Sequence, residues 1–166
     1  MTKKILFALM LFVLSGCGYH VAGKAGQMPG NIETLSIPIF TNSTLEPNVE
    51  SVITSAFVNE FVTTVRVVDE STFMLEGTIK SYGLTPVSFS SSDVNQEYRL
   101  TVSMSLRIYD RQTGKVVWRD NDVVDTEDFS VNTADVAQTR DRETAALQKL
   151  SKDTARLVKE RMLEGF

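Results

Sequence analysis

Cys17 is the residue with the most specific chemistry open to it. It closes the run Leu14-Ser15-Gly16-Cys17, which follows Lys3, Lys4 and an apolar stretch over residues 5–14. A charged start, a short apolar middle and small residues before a cut are the three parts of a secretory signal. A cysteine at the cut adds a thiol that can take a thioether-linked diacylglycerol before the bond to Gly16 is cleaved. This pattern is a lipobox, and it predicts a signal segment over 1–16 and lipidation at Cys17. The apolar stretch is too short to cross a bilayer, which takes roughly 20 such residues. Two acyl chains anchor a protein stably where one binds reversibly, so a lipid-modified Cys17 is expected to hold the chain on a membrane.

Little else in the chain suggests catalysis. His20 is the single histidine and Cys17 the single cysteine, so neither a serine triad nor a zinc site built from two to four such ligands can be assembled. Gly-rich phosphate loops are absent as well. Asp120, Asp122, Asp125, Glu127 and Asp128 are close in sequence, but their spacing does not match a twelve-residue calcium loop, and they are expected to form a solvated acidic strand end. No enzymatic role, cofactor or metal is expected. With one cysteine no internal disulfide can form, although the signal directs the chain to an oxidising compartment.

Cations offer a second kind of chemistry. Lys80, Arg99, Arg107 and, with less certain facing, Arg119 alternate with Thr78, Thr101, Ser103 and Ser105 in stretches that read as strands. On one sheet face they would form a platform of cations and hydroxyls, able to hold an anionic lipid headgroup or an acidic partner surface through the planar guanidinium fork. An ordinary wet sheet face has the same composition. Tyr82, Pro86, Val87 and Phe89 lie beside it and read either as a docking edge or as a buried satellite cluster.

The elements that must position these residues are legible from periodicity. Cutting 16 of 166 residues leaves 150, the size of one domain; losing Lys3 and Lys4 from 17 basic residues leaves 15 against 21 acidic ones, a net charge of about −6. That balance argues against nucleic acid as a partner. Residues 17–30 are glycine-rich and are expected to be a tether, with one domain over 31–166. Alternation over 32–40, ending at Pro38, predicts a strand. Pro47 and Glu50 open a helix that buries Val52, Ile53, Phe57 and Phe61. A strand containing Phe73, Leu75 and Ile79 follows, then a loop or ragged strand extension over 85–93. The clearest strand carries Tyr98, Leu100, Val102, Met104, Leu106 and Ile108 on one side. Residues 110–115 form a hairpin turn with Gly114, 116–124 return, and 134–163 form a helix with Ala146, Leu147, Leu150, Thr154, Leu157 and Val158 on its seam. The expected fold is α+β: a two-layer sandwich, with a four-stranded, mostly antiparallel sheet and two helices packed on one face.

Gly16-Cys17-Gly18-Tyr19-His20, the Pro38-Ile39-Phe40-Thr41-Asn42 strand ending, the helix opening at Glu46-Pro47 and the Tyr98-Arg99-Leu100 strand, in that order, resemble the LPS-assembly lipoprotein (LptE) family. The resemblance implies a non-enzymatic outer-membrane lipoprotein that plugs and helps fold a large LptD-type β-barrel and touches lipopolysaccharide. Gly18 after the cysteine resembles sorting to the outer membrane. Residues 107–118 also resemble a hairpin of curli-secretion-channel lipoproteins and of lipoproteins that activate peptidoglycan synthases. That resemblance would make the chain a channel subunit or an enzyme activator, and a lipid-tethered periplasmic hydrolase is a third class.

Overall fold

A computed structural model describes residues 28–89 and 95–164. Cys17, His20 and the signal segment lie outside the described residues. The described chain runs through β1 (Thr34–Leu35), β2 (Thr41–Asn42), α1 (Val49–Phe61), β3 (Arg66–Val67), β4 (Phe73–Phe89), β5 (Asn95–Asp110), β6 (Val116–Ser130) and α2 (Val136–Glu164). Strands β2-β4-β5-β6 form one sheet in that order; β2 joins parallel to β4 and the other pairs are antiparallel. Both helices cover one face, and the fold is the α+β two-layer sandwich that the periodicity predicts.

Alternation places the core. On β5, Leu100, Val102, Met104, Leu106 and Ile108 are buried, as are Leu75 and Ile79 beside them on β4. Helix α1 lays Val49, Ile53, Phe57 and Phe61 onto this surface, and α2 adds Leu147, Leu150, Ala155, Val158 and Met162. Each such side chain taken from water contributes about 1.5–3 kcal/mol. On α2 the buried stripe passes through Ser151 and Ala155, whereas Leu157, expected on the seam, is 39 % exposed. The stripe follows the steps 147, 150, 151, 154, 155, 158 and 162, and position 157 falls off it.

Residues 32–40 do not make one strand. Leu35 pairs in parallel with Val67 of β3, Ser36 bridges β4 at Met74, and β2 resumes at Thr41 opposite Thr78. Pro38, which has no N–H to give a ladder, lies in the gap between the two pieces. Helix α1 starts two residues beyond Pro47, because Asn48 adopts a left-handed φ of 67° and its carbonyl accepts from Ser51 and Val52. Asparagine tolerates that region better than most residues. The stretch after Thr85 continues the β4 and β5 ladder to Phe89 and Asn95 as a strand extension, with irregular register after Pro86.

Helix α2 is fastened to β6 by three of the five acids expected at a solvated strand end, while Asp122 and Asp128 do stay exposed. Asp120 accepts from Arg161 at 3.0 Å, Asp125 from the Thr154 hydroxyl at 2.7 Å, and Glu127 pairs with Lys149. An irregularity in β6 brings Asp125 and Glu127 to the side that Asp120 already faces: Met104 faces Val123 while Leu106 faces Asp120, so Asn121 and Asp122 occupy one bulge and the facing of the strand resets. Lys159 ties α2 to Glu60 of α1 in the same way.

One contact in the core admits no added atom. Phe40 is 2 % exposed and stands edge-on to Phe57, with ring centroids 5.1 Å apart, and its ring lies flat against Gly77 of β4. A Cβ on Gly77 would sit 2.5 Å from the Phe40 ring, whereas one on Gly83 would meet nothing within 4 Å. Gly77→Ala is therefore expected to destabilise the fold by about 1–3 kcal/mol, the usual cost of overpacking. Gly83→Ala should stay within about 0.5 kcal/mol of the parent, as surface changes do. Urea midpoints of the two variants check this, and equal midpoints would reject the Phe40 account.

Candidate functional site

The sheet face turned away from the helices carries all four predicted cations. Arg99 and Arg107 reach it by alternation on β5, opposite the buried row. Arg119 of β6 lies directly across from Arg107 in the ladder. Lys80 sits at a register shift between Ile79 and Ser81 on β4, beside the Ser81 and Ser103 hydroxyls, which contact each other at 2.5 Å.

Three of these four cations are already partnered. Arg99 makes a two-pronged pair with Asp128, Nε to Oδ1 at 2.7 Å and Nη2 to Oδ2 at 2.8 Å, across the β5–β6 ladder. Arg107 donates through Nε at 2.8 Å and Nη2 at 2.6 Å to the same Glu76 oxygen, across the β4–β5 ladder. The other Glu76 oxygen accepts from the Tyr109 hydroxyl at 2.9 Å, and the Arg107 guanidinium stands 5.3 Å from the Tyr109 ring centre, within range for a cation–π contact. Lys80 reaches the Asn121 carbonyl and, at 3.4 Å, Asp122. Arg119 has no hydrogen-bond or ion-pair partner among the described residues.

The neutralising carboxylates were not visible as partners in the sequence. Glu76 belongs to the same alternating row as Lys80, but its pairing with Arg107 depends on the β4–β5 register, and the pairing of Asp128 with Arg99 depends on the β6 bulge. Ladder register is a tertiary property that period-2 patterning does not fix between strands.

Between β4, β5 and β6 the face holds a half-open hollow of about 330 Å³ lined by Glu76, Thr78, Ser105, Arg107, Arg119 and Asn121. Leu106, whose side chain is buried in the core, also borders it; apart from Glu76 and Leu106 the lining residues carry donors or cations. Of the predicted docking edge, Tyr82 turns to the helix layer and donates to Glu143 at 2.6 Å; burial, and then that carboxylate, push its hydroxyl far above the ordinary tyrosine range. Val87 stays 40 % exposed and Leu84 beside it 41 %, while nothing is described of the Phe89 side chain. Among the described residues no group of histidine, cysteine and carboxylates is arranged to hold a metal, and no helix is long and apolar enough to cross a membrane.

The family model described as LptE, lipopolysaccharide-assembly, matches residues 32–162. No curated protein matches the chain. Three solved structures share the fold. A candidate lipoprotein from Caulobacter crescentus is 10 % identical, with a TM-score of 0.56, covering 76 % of this chain and 92 % of its own. An uncharacterized lipoprotein B from Nitrosomonas europaea is 18 % identical, with a TM-score of 0.53, covering 87 % and 89 %. A minor lipoprotein from Acinetobacter baumannii is 13 % identical, with a TM-score of 0.50, covering 79 % and 90 %. At these identities the likeness is one of fold.

The ion pairs of this face carry a pH signature. Burial raises the Glu76 carboxyl, but hydrogen bonds from Arg107 and Tyr109 outweigh it and hold the group below its ordinary value of 4.5. The hydrogen bond from Arg99 holds Asp128 below the ordinary aspartate value. Groups depressed on folding stabilise the protein above their unfolded values, and that contribution is lost as pH falls through the folded ones. The urea midpoint is expected to hold from pH 7 to about pH 5 and to fall below about pH 4. Arg99→Gln/Arg107→Gln should make the acid fall shallower. An unchanged slope in the double variant would remove these pairs from the acid response.

Proposed function

The chain belongs to the LptE lipopolysaccharide-assembly family, and from that premise we propose that it is an outer-membrane lipoprotein, anchored through Cys17, that binds and plugs an LptD-type β-barrel and assists assembly of lipopolysaccharide. The observation that carries this reading is the family match across residues 32–162, which takes in both helices nearly to the end of α2 and every strand of the sheet. The architecture is compatible with docking inside a barrel: one sheet face is covered by helices, and the other is a broad polar surface.

In this reading residues 1–16 are the removed signal, 17–30 the lipidated tether and 31–166 the docking body. Lys80, Arg99, Arg107 and Arg119 are the residues through which lipopolysaccharide or the barrel wall is contacted. Because the first three are held by carboxylates, they present hydrogen-bonded ion pairs to a ligand. Such pairs can exchange partners at modest cost, since exposed ion pairs contribute only about 0–1 kcal/mol.

Extraction of the lipidated protein in mild detergent, followed by affinity capture and mass spectrometry, is expected to bring down one large β-barrel. Recovery of a peptidoglycan synthase, or of a ring made only of this chain, would replace this reading with the activator or channel-subunit alternative. Cys17→Ser is expected to shift the protein from the membrane pellet to the soluble fraction of lysed cells. A variant that stays in the pellet with its signal uncleaved would show retention by the signal segment, and one cleaved yet still pelleted would show an anchor other than the lipid.

A further inference from the structure

Arg107 and Arg119 face each other directly across the β5–β6 ladder. Like charges so placed destabilise a sheet unless something neutralises them. Glu76 does this for Arg107, using only Nε and Nη2, and nothing among the described residues does it for Arg119. We propose that the hollow between them is a seat for a single phosphomonoester, the group that would bridge the two guanidinium planes. That the phosphate is carried by a glycolipid headgroup rests on the reading given under Proposed function; the seat itself rests on the geometry.

The composition of the hollow favours a tetrahedral oxyanion over other occupants. Two guanidinium cations against the one Glu76 carboxylate leave it with one net positive charge. The Thr78 and Ser105 hydroxyls, directly opposite each other across the β4–β5 ladder, and the Asn121 side chain line the same hollow. A phosphate offers several acceptor oxygens in different directions, which suits donors converging from three strands, and guanidinium binds it in the same forked geometry as carboxylate. Side chains on paired strands need little ordering to receive it. A volume of about 330 Å³ takes a phosphate with its sugar oxygen and water, and one net positive charge suits one such group. Arg99 and Lys80 are not equivalent seats, since the guanidinium of Arg99 is clamped on both oxygens of Asp128 and the ammonium of Lys80 lies on a carbonyl and Asp122.

The test uses the full lipidated chain in detergent micelles with three probes: lipopolysaccharide, the same lipopolysaccharide enzymatically dephosphorylated, and inorganic phosphate. Arg119→Gln is expected to weaken binding of lipopolysaccharide about tenfold, the scale of one charge-assisted hydrogen-bond pair. Arg119→Lys should recover part of it, and Arg156→Gln, at an exposed position of α2, should change it less than twofold. Dephosphorylated lipopolysaccharide should bind parent and Arg119→Gln alike. Binding of both lipids unaffected by Arg119→Gln overturns the seat, and so does an equal loss for both, which would make Arg119 a contact to sugar or carboxylate. If the parent binds neither lipid but inorganic phosphate shifts the Arg119 Nε–H resonance, the seat stands and the lipopolysaccharide-contact part of the reading falls. If no probe binds, the seat is overturned.

Discussion

The register of β5 is the constraint from which the rest follows. This strand is hydrogen-bonded on both sides, and Leu100, Val102, Met104, Leu106 and Ile108 are each no more than 1 % exposed. Because side chains alternate with period two, slipping the strand by one residue would turn all five into water. At about 1.5–3 kcal/mol for each buried side chain, that slip costs as much as the whole stability of an ordinary domain, about 5–15 kcal/mol. The buried row therefore also fixes the outer row. Arg99 and Arg107 point away from the helices because their neighbours must point toward them, so the charged face takes its layout from the core.

Strand β6 obeys a weaker version of the same rule and resolves it differently. It is an edge strand; Asp120 faces α2 on the hairpin side of the bulge at Asn121 and Asp122, and the bulge resets the facing so that Asp125 and Glu127 turn to α2 beyond it. Carboxylates against a helix are costly to desolvate unless they are partnered, and each finds a partner there, in Arg161, Thr154 and Lys149 respectively. Among the described residues no buried side-chain nitrogen or oxygen lacks a hydrogen bond. A second irregularity nearer the hairpin, where Tyr109 pairs with Val116 but Ile108 with Trp118, sets Arg119 opposite Arg107. Two backbone irregularities in β6 thus decide how the helix layer is fastened and which cation is left, among the described residues, without a counter-charge.

This division also explains what could be read from the chain alone. The long strand over 98–109, the hairpin at Gly114 and the two helices were legible because their signals are local: strict alternation, a turn glycine, and three-and-four spacing. The α+β sandwich follows from those signals and the need to bury three apolar sets. The four cations could be placed on one face for the same reason. Their counter-ions could not, because Glu76 meets Arg107 and Asp128 meets Arg99 only through ladder register and bulges. The break of residues 32–40 into β1 and β2 was half legible in Pro38, but its partners, β3 and β4, are tertiary. The acidic run near residue 125 was legible only in Asp122 and Asp128, which are exposed; for Asp120, Asp125 and Glu127, charge in sequence signals solvent only when no helix with partners for it lies over it.

The charge pattern of the outer face bears on how it can discriminate. Lys80, Arg99, Arg107 and Arg119 share it with Glu76, Glu97, Asp122 and Asp128, so the face as a whole is close to neutral within an acidic protein. A surface of free cations would attract any polyanion from a distance through its summed field. Here the long-range field is weak, and the ion pairs are screened further at physiological salt, where the Debye length is about 8 Å. Selectivity on such a face must come from short-range geometry, from which donors converge and which charge is left over. That places the weight on Arg119 and the donors around it, and it predicts a surface that tolerates crowded anionic surroundings while holding only what fits between three strands.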